Sequence, residues 1–423
     1  MNDVSTRLSD WLARLETLSA KEIDLGLERV ERVLNRLALP PPQRVFHVAG
    51  TNGKGSSVAM LESLLQNTDV RIGCYTSPHI IRYNERIRVD GEEAGDEQII
   101  AAFERIEAVR DGESLTYFEF GTLTALVVFA DADVDVAILE IGLGGRLDAV
   151  NAIEPDACLI MNIALDHCNW LGDDIETIAF EKAGIMREKK PIVFGSRDIP
   201  RAIVKHADDV GASLLAAGRD FDWSIDGDRW NWRGSVHRLK GLKRPALTGD
   251  HQVENAAAVL ALLEASGFTE LLREETVNES LGRLHLYGRV QEFDAGARWV
   301  LDVAHNPAAA QALAGTLRAE AHTGQTVAVL AMLDDKDVAG CVRHLKDQVD
   351  HWIAVTADSP RAIAADELAR QVANATDKAC LVAGSLNVAI SRAQELTQPG
   401  DRVLVTGSFY VVGPALNQLY SRR

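Results

Sequence analysis

Paired cysteines, long apolar runs and positive charge are all scarce in this 423-residue sequence. The five cysteines are scattered and odd in number, and none forms a CxxC pair, so a disulfide framework or a cysteine-type zinc site is not expected. No segment approaches the roughly 18 apolar residues of a membrane span, and the N-terminus lacks a basic-then-apolar signal pattern. We therefore expect a cytoplasmic protein without a membrane partner.

Acidic residues outnumber basic ones by 62 to 44, which gives a formal net charge of −18. A chain with this charge repels nucleic acid, so no nucleic-acid partner is expected. An anionic substrate would need a local positive site. The length suits two or three domains with a large core.

A glycine-rich segment between a strand pattern and a helix pattern is the strongest local signal. It runs from Val45 to Ser57, and it places Lys54 between two glycines at a helix start. Backbone N–H groups and the positive helix end bind phosphate in such loops, and a lysine adds a full charge. The spacing departs from the usual P-loop, because Gly55 rather than Ser or Thr follows the lysine. The alternative is an ordinary strand-to-helix turn.

Strand and helix patterns alternate through most of the chain. Two amphipathic helices are predicted within 5–38, and a continuous parallel sheet with helices on both faces follows them. Residues 213–247 alternate aromatic and polar side chains, which predicts a small antiparallel patch whose tryptophans serve as core residues or as a stacking platform. The fold class is therefore α/β, with a P-loop-type parallel sheet and an antiparallel patch in the N-terminal domain.

A second series of strands and helices begins near residue 297. It predicts a smaller, Rossmann-like α/β domain at the C-terminus. We place the domains at 1–293 and 297–423.

Three polar side chains follow successive strands of the first domain. They are Ser77, Glu140 and His167, and the carboxyl ends of parallel strands share one sheet edge. A hydroxyl, a carboxylate and an imidazole suit a divalent ion on nucleotide phosphates, with Mg²⁺ favoured. Taken singly, Glu140 could be a helix cap and His167 a packed or surface histidine. Lys182 lies in a predicted helix, where a lysine considered singly is an ordinary solvated side chain.

The second domain offers fewer candidates. Asp302 ends a strand, where it either accepts ribose hydroxyls or caps a nearby helix. Arg289 precedes the domain boundary, where domain closure would bring a guanidinium to a phosphate. The segment 406–410 ends another strand and opens a helix, which is again favourable for anions.

Six motifs occur in an order that resembles one enzyme family. They are Gly50–Ser56, Thr76–His79, Glu140–Asp148, Ala164–His167, Glu181–Ile185 and Asp302–Pro307. Each motif is weak alone, but the set is specific and covers about residues 10–415. It is similar to the bifunctional dihydrofolate synthase/folylpolyglutamate synthases, which belong with the Mur ligases.

The resemblance implies a ligase that phosphorylates a substrate carboxylate with ATP and then joins it to L-glutamate. It implies dihydropteroate and folates as acceptors, a role in folate biosynthesis and one-carbon metabolism, ATP and Mg²⁺ as cofactors with two metal sites, and a monomer.

The resemblance also assigns roles to residues. Ser77 and Glu140 would bind one Mg²⁺ and His167 a second, and Lys182 resembles a carbamylated lysine that acts as an oxygen ligand. His305 is a candidate near the glutamate or phosphate path, and with Lys54, Lys182 and His167 it makes up the expected catalytic set. The nucleotide would contact Thr51, Asn52, Gly53, Lys54, Gly55, Ser56, Asn255, Arg289 and Asp302.

Three further segments resemble parts of a pterin pocket, namely Ile23–Arg29, Thr116–Glu119 and Leu147–Ala149. Asp24 has the alternative role of a helix N-cap. A departure from the family is Tyr287, which stands where proline is frequent and leaves Arg289 in place. The expected substrate-binding residues are Ile23, Asp24, Leu25, Thr116, Leu147, Asp148 and Ala149.

Three alternatives stay open at this point. One is a synthase that only extends polyglutamate, and another is a Mur ligase acting on a UDP-linked peptidoglycan precursor. A third is a nucleotide-dependent switch without ligase activity. Polyglutamate length, the balance of the two activities, α or γ linkage and the state of Lys182 are not determined by the sequence.

Overall fold

The computed structural model describes residues 4–19, 23–320 and 322–420. Its contacts divide the chain into two compact units. The first unit contains the residues up to Ile163, Ile175–Pro245 and Val253–Leu284; the second contains Ala164–Asp174, Ala246–Gln252 and the chain from His285 onward. The predicted domain bounds, 1–293 and 297–423, stay a prediction.

The α-helices of the described residues are spread over the whole chain. In chain order they are α1 Val4–Leu18, α2 Glu28–Leu37, α3 Lys54–Leu65, α4 Asp96–Val109, α5 Tyr117–Asp131, α6 Cys168–Leu171, α7 Ile175–Ala183, α8 Arg201–Val210, α9 Asp250–Ala265, α10 Glu274–Gly282, α11 Pro307–Ala319, α12 Val338–Leu345, α13 Ala365–Thr376, α14 Leu386–Leu396 and α15 Phe409–Tyr420. Short 3₁₀ turns occupy Tyr83–Arg86, Ala149–Ala152 and Thr269–Leu271. None of the described helices has the length and apolarity to cross a bilayer.

The strands of the described residues form three sheets. In chain order they are β1 Arg44–Ala49, β2 Ile72–Tyr75, β3 Ile87–Val89, β4 Glu92–Glu93, β5 Val136–Glu140, β6 Ala157–Ile160, β7 Pro191–Phe194, β8 Ser213–Ala216, β9 Asp222–Asp226, β10 Arg229–Arg233, β11 Arg238–Lys243, β12 Gln291–Asp294, β13 Arg298–Leu301, β14 Thr326–Leu330, β15 His351–Val355, β16 Cys380–Ala383 and β17 Arg402–Thr406.

The first unit is built on an eight-stranded sheet in the order β4-β3-β2-β5-β1-β6-β7-β8. The strands from β2 to β8 in that order pair in parallel, while β3 and β4 form an antiparallel edge. Strand β1 lies between β5 and β6, and its residues from Val45 to Ala49 are buried. A strand covered on both faces needs continuous apolar residues, which is why its sequence shows no alternation.

The N-terminal helices cover part of this core. Leu8 and Leu15 of α1 are buried, and so are Val30, Val33 and Leu37 of α2. Both helices therefore use the apolar stripes that their spacing predicts.

The antiparallel patch forms as predicted from the alternation, in the order β11-β10-β9. Trp230 and Trp232 are fully buried, and the indole N–H of Trp232 donates to the carbonyl of Ala257 in α9 at 3.0 Å. The tryptophans are thus core residues rather than a stacking platform.

The second unit has a six-stranded sheet in the order β12-β13-β17-β14-β15-β16. Its strands are parallel except for β12, which pairs antiparallel to β13. The predicted α/β class and the smaller C-terminal sheet are confirmed. The sequence patterns missed β3, β4, β8, β12 and β16, which are two to four residues long at or near sheet edges.

Candidate functional site

The glycine-rich loop lies between β1 and α3 and depends on its glycines. Gly50 and Gly53 have φ values of +142° and +86°, a region that strains other residues. A Cβ at position 53 would lie 2.6 Å from Oδ1 of Asn255, so Asn255 packs directly against the loop. The helix then begins at Lys54, with Gly53 as its N-cap. The predicted anion-binding geometry, a tight turn leading into a helix N-terminus, is present.

The loop is fixed by backbone groups. Asn162 accepts two of these bonds. Its backbone carbonyl accepts from Thr51 N–H at 2.9 Å, and the Oδ1 of the Asn162 side chain accepts from Asn52 N–H at 3.0 Å. The ammonium of Lys54 donates to the carbonyls of Gly50 and Thr51, both at 3.2 Å. This amine therefore lies over its own loop, where a bound phosphate would meet it.

Glu140 and Ser77 meet beside the same loop, as predicted from their positions after neighbouring strands. Glu140 ends β5 and is only 4% exposed. The backbone N–H of Ser77 donates to its Oε2 at 3.1 Å, and a Cβ on Gly55 would lie 3.7 Å from that oxygen. Glu140 therefore lies between the loop after β2 and the start of α3.

Lys182 is not a solvated lysine. It lies near the end of α7, is 5% exposed, and donates from Nζ to the carbonyl of Gly50 at 3.1 Å. Two lysine side chains thus reach the carbonyl of Gly50, one of them from 132 residues away. The expectation of an exposed helix lysine is wrong, because the fold turns this face of α7 toward the loop.

The predicted pterin segments 23–25 and 147–149 are adjacent. Gly26 N–H donates to the carbonyl of Leu147 at 3.2 Å. Asp24 is not the N-cap of α2, because that helix begins at Glu28 with Leu27 as N-cap. Ile23, Asp24 and Leu25 are half-buried in a stretch without regular structure.

Asp148 is a buried carboxylate in the loop after β5. Its oxygens accept from the N–H groups of Leu143 at 2.7 Å and Val150 at 3.0 Å. Burial raises the pKa of Asp148 to about 7, although these N–H groups and the charge of Lys54 favour the ionised form. Its role in the structure is to fix the loop that presents Leu147 and Ala149.

Thr116 is the N-cap of α5. Its hydroxyl accepts from Glu119 N–H at 3.2 Å, and its own N–H donates to the carboxylate of Glu119 at 2.7 Å, which makes a capping box. Arg29 binds the other oxygen of Glu119 at 2.9 Å and also reaches Asp24. Two of the predicted pterin segments are therefore linked through this arginine.

The second unit contains Arg289, Asp302 and His305. Both oxygens of Asp302 accept backbone N–H groups, from Val290 and from Ala304, each at 2.9 Å. Removal from water raises the pKa of Asp302, and the charge of Arg289 opposes that rise. Asp302 does not cap the following helix, whose N-cap is Asn306.

The aromatic ring of Phe409 joins two of these side chains. The guanidinium of Arg289 lies 5.7 Å from its centroid, and the imidazole of His305 lies 5.7 Å away in a tilted arrangement. Phe409 opens α15, directly after the predicted anion-friendly turn at 406–408.

A buried ion-pair cluster centred on Asp166 was missed by the sequence reasoning. Asp166 accepts from Lys336 Nζ at 2.6 Å and from Asn306 Nδ2 at 2.9 Å, and His305 Nε2 lies 3.4 Å away. These positive and N–H neighbours hold the pKa of Asp166 well below its usual range despite burial. The available signal was the charged run 334–337 shortly after β14, which is another strand-end position.

His167 belongs to this cluster. Its Nε2 lies 3.3 Å from Lys336 Nζ, and its Nδ1 lies 3.5 Å from Asp335. Burial, aided by the Lys336 charge, lowers the pKa of His167 to about 4, so the ring is neutral at neutral pH and can act as a metal ligand. The contact division places His167 in the second unit, whereas Ser77, Glu140 and Lys182 lie in the first.

The number of protein ligands that a metal ion needs decides whether these residues could hold one. The described residues contain no group of three or more His, Cys, Asp or Glu side chains arranged for a metal ion. Mg²⁺ on a nucleotide needs only one or two protein ligands, because phosphates and water supply the rest. Glu140 beside Ser77 and the loop fits that requirement.

Comparison with known proteins identifies the family of the chain. Family models described as "Mur ligase middle domain" and "Mur ligase, glutamate ligase domain" match residues 48–263 and 282–409. The dihydrofolate synthase/folylpolyglutamate synthase of Escherichia coli strain K12 is 41% identical over 417 residues, covering 98% of this chain and 96% of the relative.

Solved structures give the same result. Escherichia coli FolC in complex with DHPP and ADP superposes with a TM-score of 0.93 at 41% identity and 98% coverage of both chains. A bifunctional folylpolyglutamate synthase/dihydrofolate synthase with Mn, AMPPNP and L-glutamate bound gives a TM-score of 0.90 at 40% identity, again with 98% of both chains.

Fold, loop and matched domains together define a Mur ligase, an ATP-dependent enzyme that joins an acid to an amine. Within that class the chain belongs to the dihydrofolate synthase/folylpolyglutamate synthase family. The predicted family and enzyme class are confirmed, while the roles of individual residues stay predictions.

Proposed function

We propose that this enzyme uses ATP and Mg²⁺ to add L-glutamate to dihydropteroate and to folates. The observation that carries the proposal is the convergence of Lys54, Lys182 and the Glu140–Ser77 pair on one loop of the first unit. The relatives named for these activities support it, since one was solved with DHPP and ADP and another with Mn, AMPPNP and L-glutamate.

The chemistry begins with an acid that is too unreactive to form an amide. A carboxylate oxygen of the acceptor attacks the γ-phosphorus of ATP, and the bond to the bridging oxygen breaks to release ADP. The amine of L-glutamate then attacks the acyl carbon of the acyl phosphate. Phosphate leaves with the bonding electron pair, and the amine loses a proton as the amide forms. Little covalent help is required, so the enzyme contributes mainly positioning and charge neutralisation.

The first unit would hold the triphosphate. Residues 51–56 would supply backbone N–H groups and the helix end, and Lys54 would supply a positive charge. Asn255 lies against Gly53 and would contact the nucleotide. Glu140 and the Ser77 hydroxyl would hold one Mg²⁺. When bound, the ion would neutralise charge on the phosphates.

His167 would contribute to a second metal site, and Lys182 would be carbamylated. After its ammonium loses a proton, the Lys182 amine would attack the carbon of CO₂ and release a second proton. The carbamate would present carboxylate-like oxygen atoms, which are the ligands that Mg²⁺ prefers. The neutral state of His167 suits ligation.

In the second unit, Arg289 and Asp302 would contact phosphate and ribose. His305 lies against Asp166 and Phe409 and is a candidate for the glutamate or phosphate path.

The pterin would contact the segments 23–25, 116–119 and 147–149. The direct links of Gly26 to Leu147 and of Arg29 to Asp24 and Glu119 support one shared pocket for them. We further propose that the protein works as a cytoplasmic monomer, which size-exclusion chromatography with light scattering would test.

The decisive experiment measures glutamate-dependent phosphate release with three acceptors and without any acceptor. Release with both dihydropteroate and tetrahydrofolate is the expected result. Release with tetrahydrofolate alone would indicate a synthase that only extends polyglutamate. Release with a UDP-muramyl peptide would indicate a peptidoglycan ligase, and ATP hydrolysis that needs no acceptor would indicate a switch.

A further inference from the structure

The guanidinium of Arg29 in α2 makes four directed contacts. Its Nη2 donates to the backbone carbonyl of Asp24 at 2.7 Å, and its Nη1 lies 2.9 Å from the Asp24 carboxylate. Nη2 and Nε also donate to Oε1 of Glu119 at 2.9 and 3.2 Å. One planar guanidinium therefore binds a backbone oxygen and two carboxylates at once.

Glu119 makes this contact rigid. Its side chain is 4% exposed, and its second oxygen accepts the N–H of Thr116 in the capping box. The carboxylate is thus held at the start of α5 by a bond that does not involve Arg29. Because the anchor is buried and doubly bound, the position of Arg29 is determined by α5.

The segment on the other side of Arg29 has no regular structure of its own. Residues 23–26 belong to neither α1 nor α2, and Gly26 N–H donates to the carbonyl of Leu147. The bonds from Arg29 to Asp24 therefore transmit the position of α5 to this segment.

We propose that Arg29 is a positioning residue that sets the acceptor pocket by fixing residues 23–25 against the start of α5. The inference rests on the proposed function, which assigns the pterin to these two segments. Arg29 itself touches neither nucleotide nor reacting atoms in this scheme. Its loss displaces one wall of the pocket, so weaker acceptor binding is the expected consequence, with phosphate-loop chemistry unchanged.

The guanidinium geometry distinguishes this role from simple charge pairing. A lysine at position 29 keeps the charge but is a single point donor group and cannot reproduce the fork that spans Asp24 and Glu119. Arg29→Lys should therefore behave much like Arg29→Ala in acceptor binding. A purely electrostatic contribution would be largely preserved in the lysine variant.

The same helix provides a matched control. Arg32 binds Glu113 with two bonds, of 2.6 and 3.0 Å, and so also ties α2 to the chain just before α5. It has no bond to residues 23–25 among the described contacts. Arg32→Ala removes a more exposed ion pair from the same helix and leaves the proposed pocket wall in place.

The experiment measures KM and kcat for dihydropteroate, ATP and L-glutamate, with dihydropteroate Kd and Tm, in Arg29→Ala, Arg29→Lys, Arg32→Ala and wild type. We expect dihydropteroate KM and Kd to rise about tenfold or more in both Arg29 variants, since small misplacements are costly. ATP KM and kcat should stay within about twofold, and Arg32→Ala should resemble wild type throughout.

Two results would overturn the inference. One is an unchanged dihydropteroate KM in Arg29→Lys with only a lower Tm, and the other is a parallel rise in all three KM values. Failure of the proposed function would look different, because wild-type enzyme would then show no dihydropteroate-dependent phosphate release.

Discussion

The candidate residues of the two units are held in place by different means. In the first unit, Lys54 and Lys182 bind backbone carbonyls, and Glu140 binds a backbone N–H. In the second, Asp166 binds the side chains of Lys336 and Asn306, which are 170 and 140 residues away in sequence. Backbone partners stay present when a side chain is replaced, whereas a buried cluster of charged side chains loses a partner with each substitution. The first arrangement should therefore fail in catalysis when mutated, and the second in stability.

The largest expected effect is on catalysis in the first unit. Lys54→Ala should lower ATP-dependent turnover by about 10³-fold, near the upper end for loss of one preorganised charge-stabilising group. Its stability should change little, because the bonds that its ammonium gives to the carbonyls of Gly50 and Thr51 lie at the part-buried loop itself. Steady-state phosphate release and thermal melting measure the two effects. Lys205→Ala, an exposed helix lysine, is the control, and near-normal turnover in Lys54→Ala would reject the phosphate-loop assignment.

The matching change in the second unit should act on stability. Asp166→Ala leaves the ammonium of Lys336 buried with Asp335 at 3.3 Å as its remaining carboxylate. We expect the free energy of unfolding to fall by about 3 kcal/mol, the lower end for a broken buried pair. Urea unfolding checks this value. The double variant Asp166→Ala with Lys336→Met should be less destabilised, and a loss equal to the sum of the two single losses would contradict coupling.

The next prediction separates the two lysines at Gly50. Lys182→Ala should lower turnover by about 10²-fold with the fold retained, because the proposed role is to present oxygen ligands. Added formate or acetate should restore part of the activity of this variant and none in Lys54→Ala. Full activity without any added carboxylate would remove the carbamate proposal.

A smaller expected effect is on the pH dependence of stability. It concerns a buried group without an ion pair among the described residues, whereas Asp166 is ion-paired. His47 in β1 is fully buried, and burial lowers its pKa to about 3 from 6.5. Below pH 6.5 His47 is protonated in the unfolded chain but stays neutral in the folded protein. The free energy of unfolding therefore falls as the pH falls toward 3. From pH 6.5 to 5 this costs roughly 2 kcal/mol.

His47→Leu isolates that contribution. His79, His167 and His251 also have pKa values lowered to about 4, so wild type keeps some acid sensitivity from them. Unfolding free energies at pH 7, 6 and 5 should therefore fall less steeply in His47→Leu. Parallel profiles for the two proteins would show that His47 is not responsible. The ionised state of Asp166 adds no slope in this range, since its stabilisation is lost only below about pH 3.8.

Local patterns in the sequence predicted most elements. The strand 45–49, the phosphate loop and the antiparallel patch at 213–247 follow from apolar runs, glycine placement and alternation, which act over a few residues. The short strands β3 and β16 were missed because three or four residues at a sheet edge carry little periodicity.

The residues of the candidate site were likewise only partly predictable from local patterns. Ser77 and Glu140 could be brought together from the sequence, because parallel strands present their carboxyl ends at one edge. The residues around Lys182 predict only a solvated helix lysine, because helix spacing does not show which loop a helix face contacts. The family resemblance alone indicated a role for Lys182 in the site. Lys336 was not singled out, because a charged run is usually solvated.

The sequence by itself determined the phosphate loop, the α/β class and the family, because glycine freedom, strand periodicity and motif order are properties of neighbouring residues. Only the tertiary structure decided that Lys182 reaches Gly50, that Lys336 binds Asp166 and that Arg29 joins Asp24 to Glu119. Each of these contacts depends on packing between elements distant in sequence, or on the direction of a single side chain. Neither of these is encoded in a local pattern.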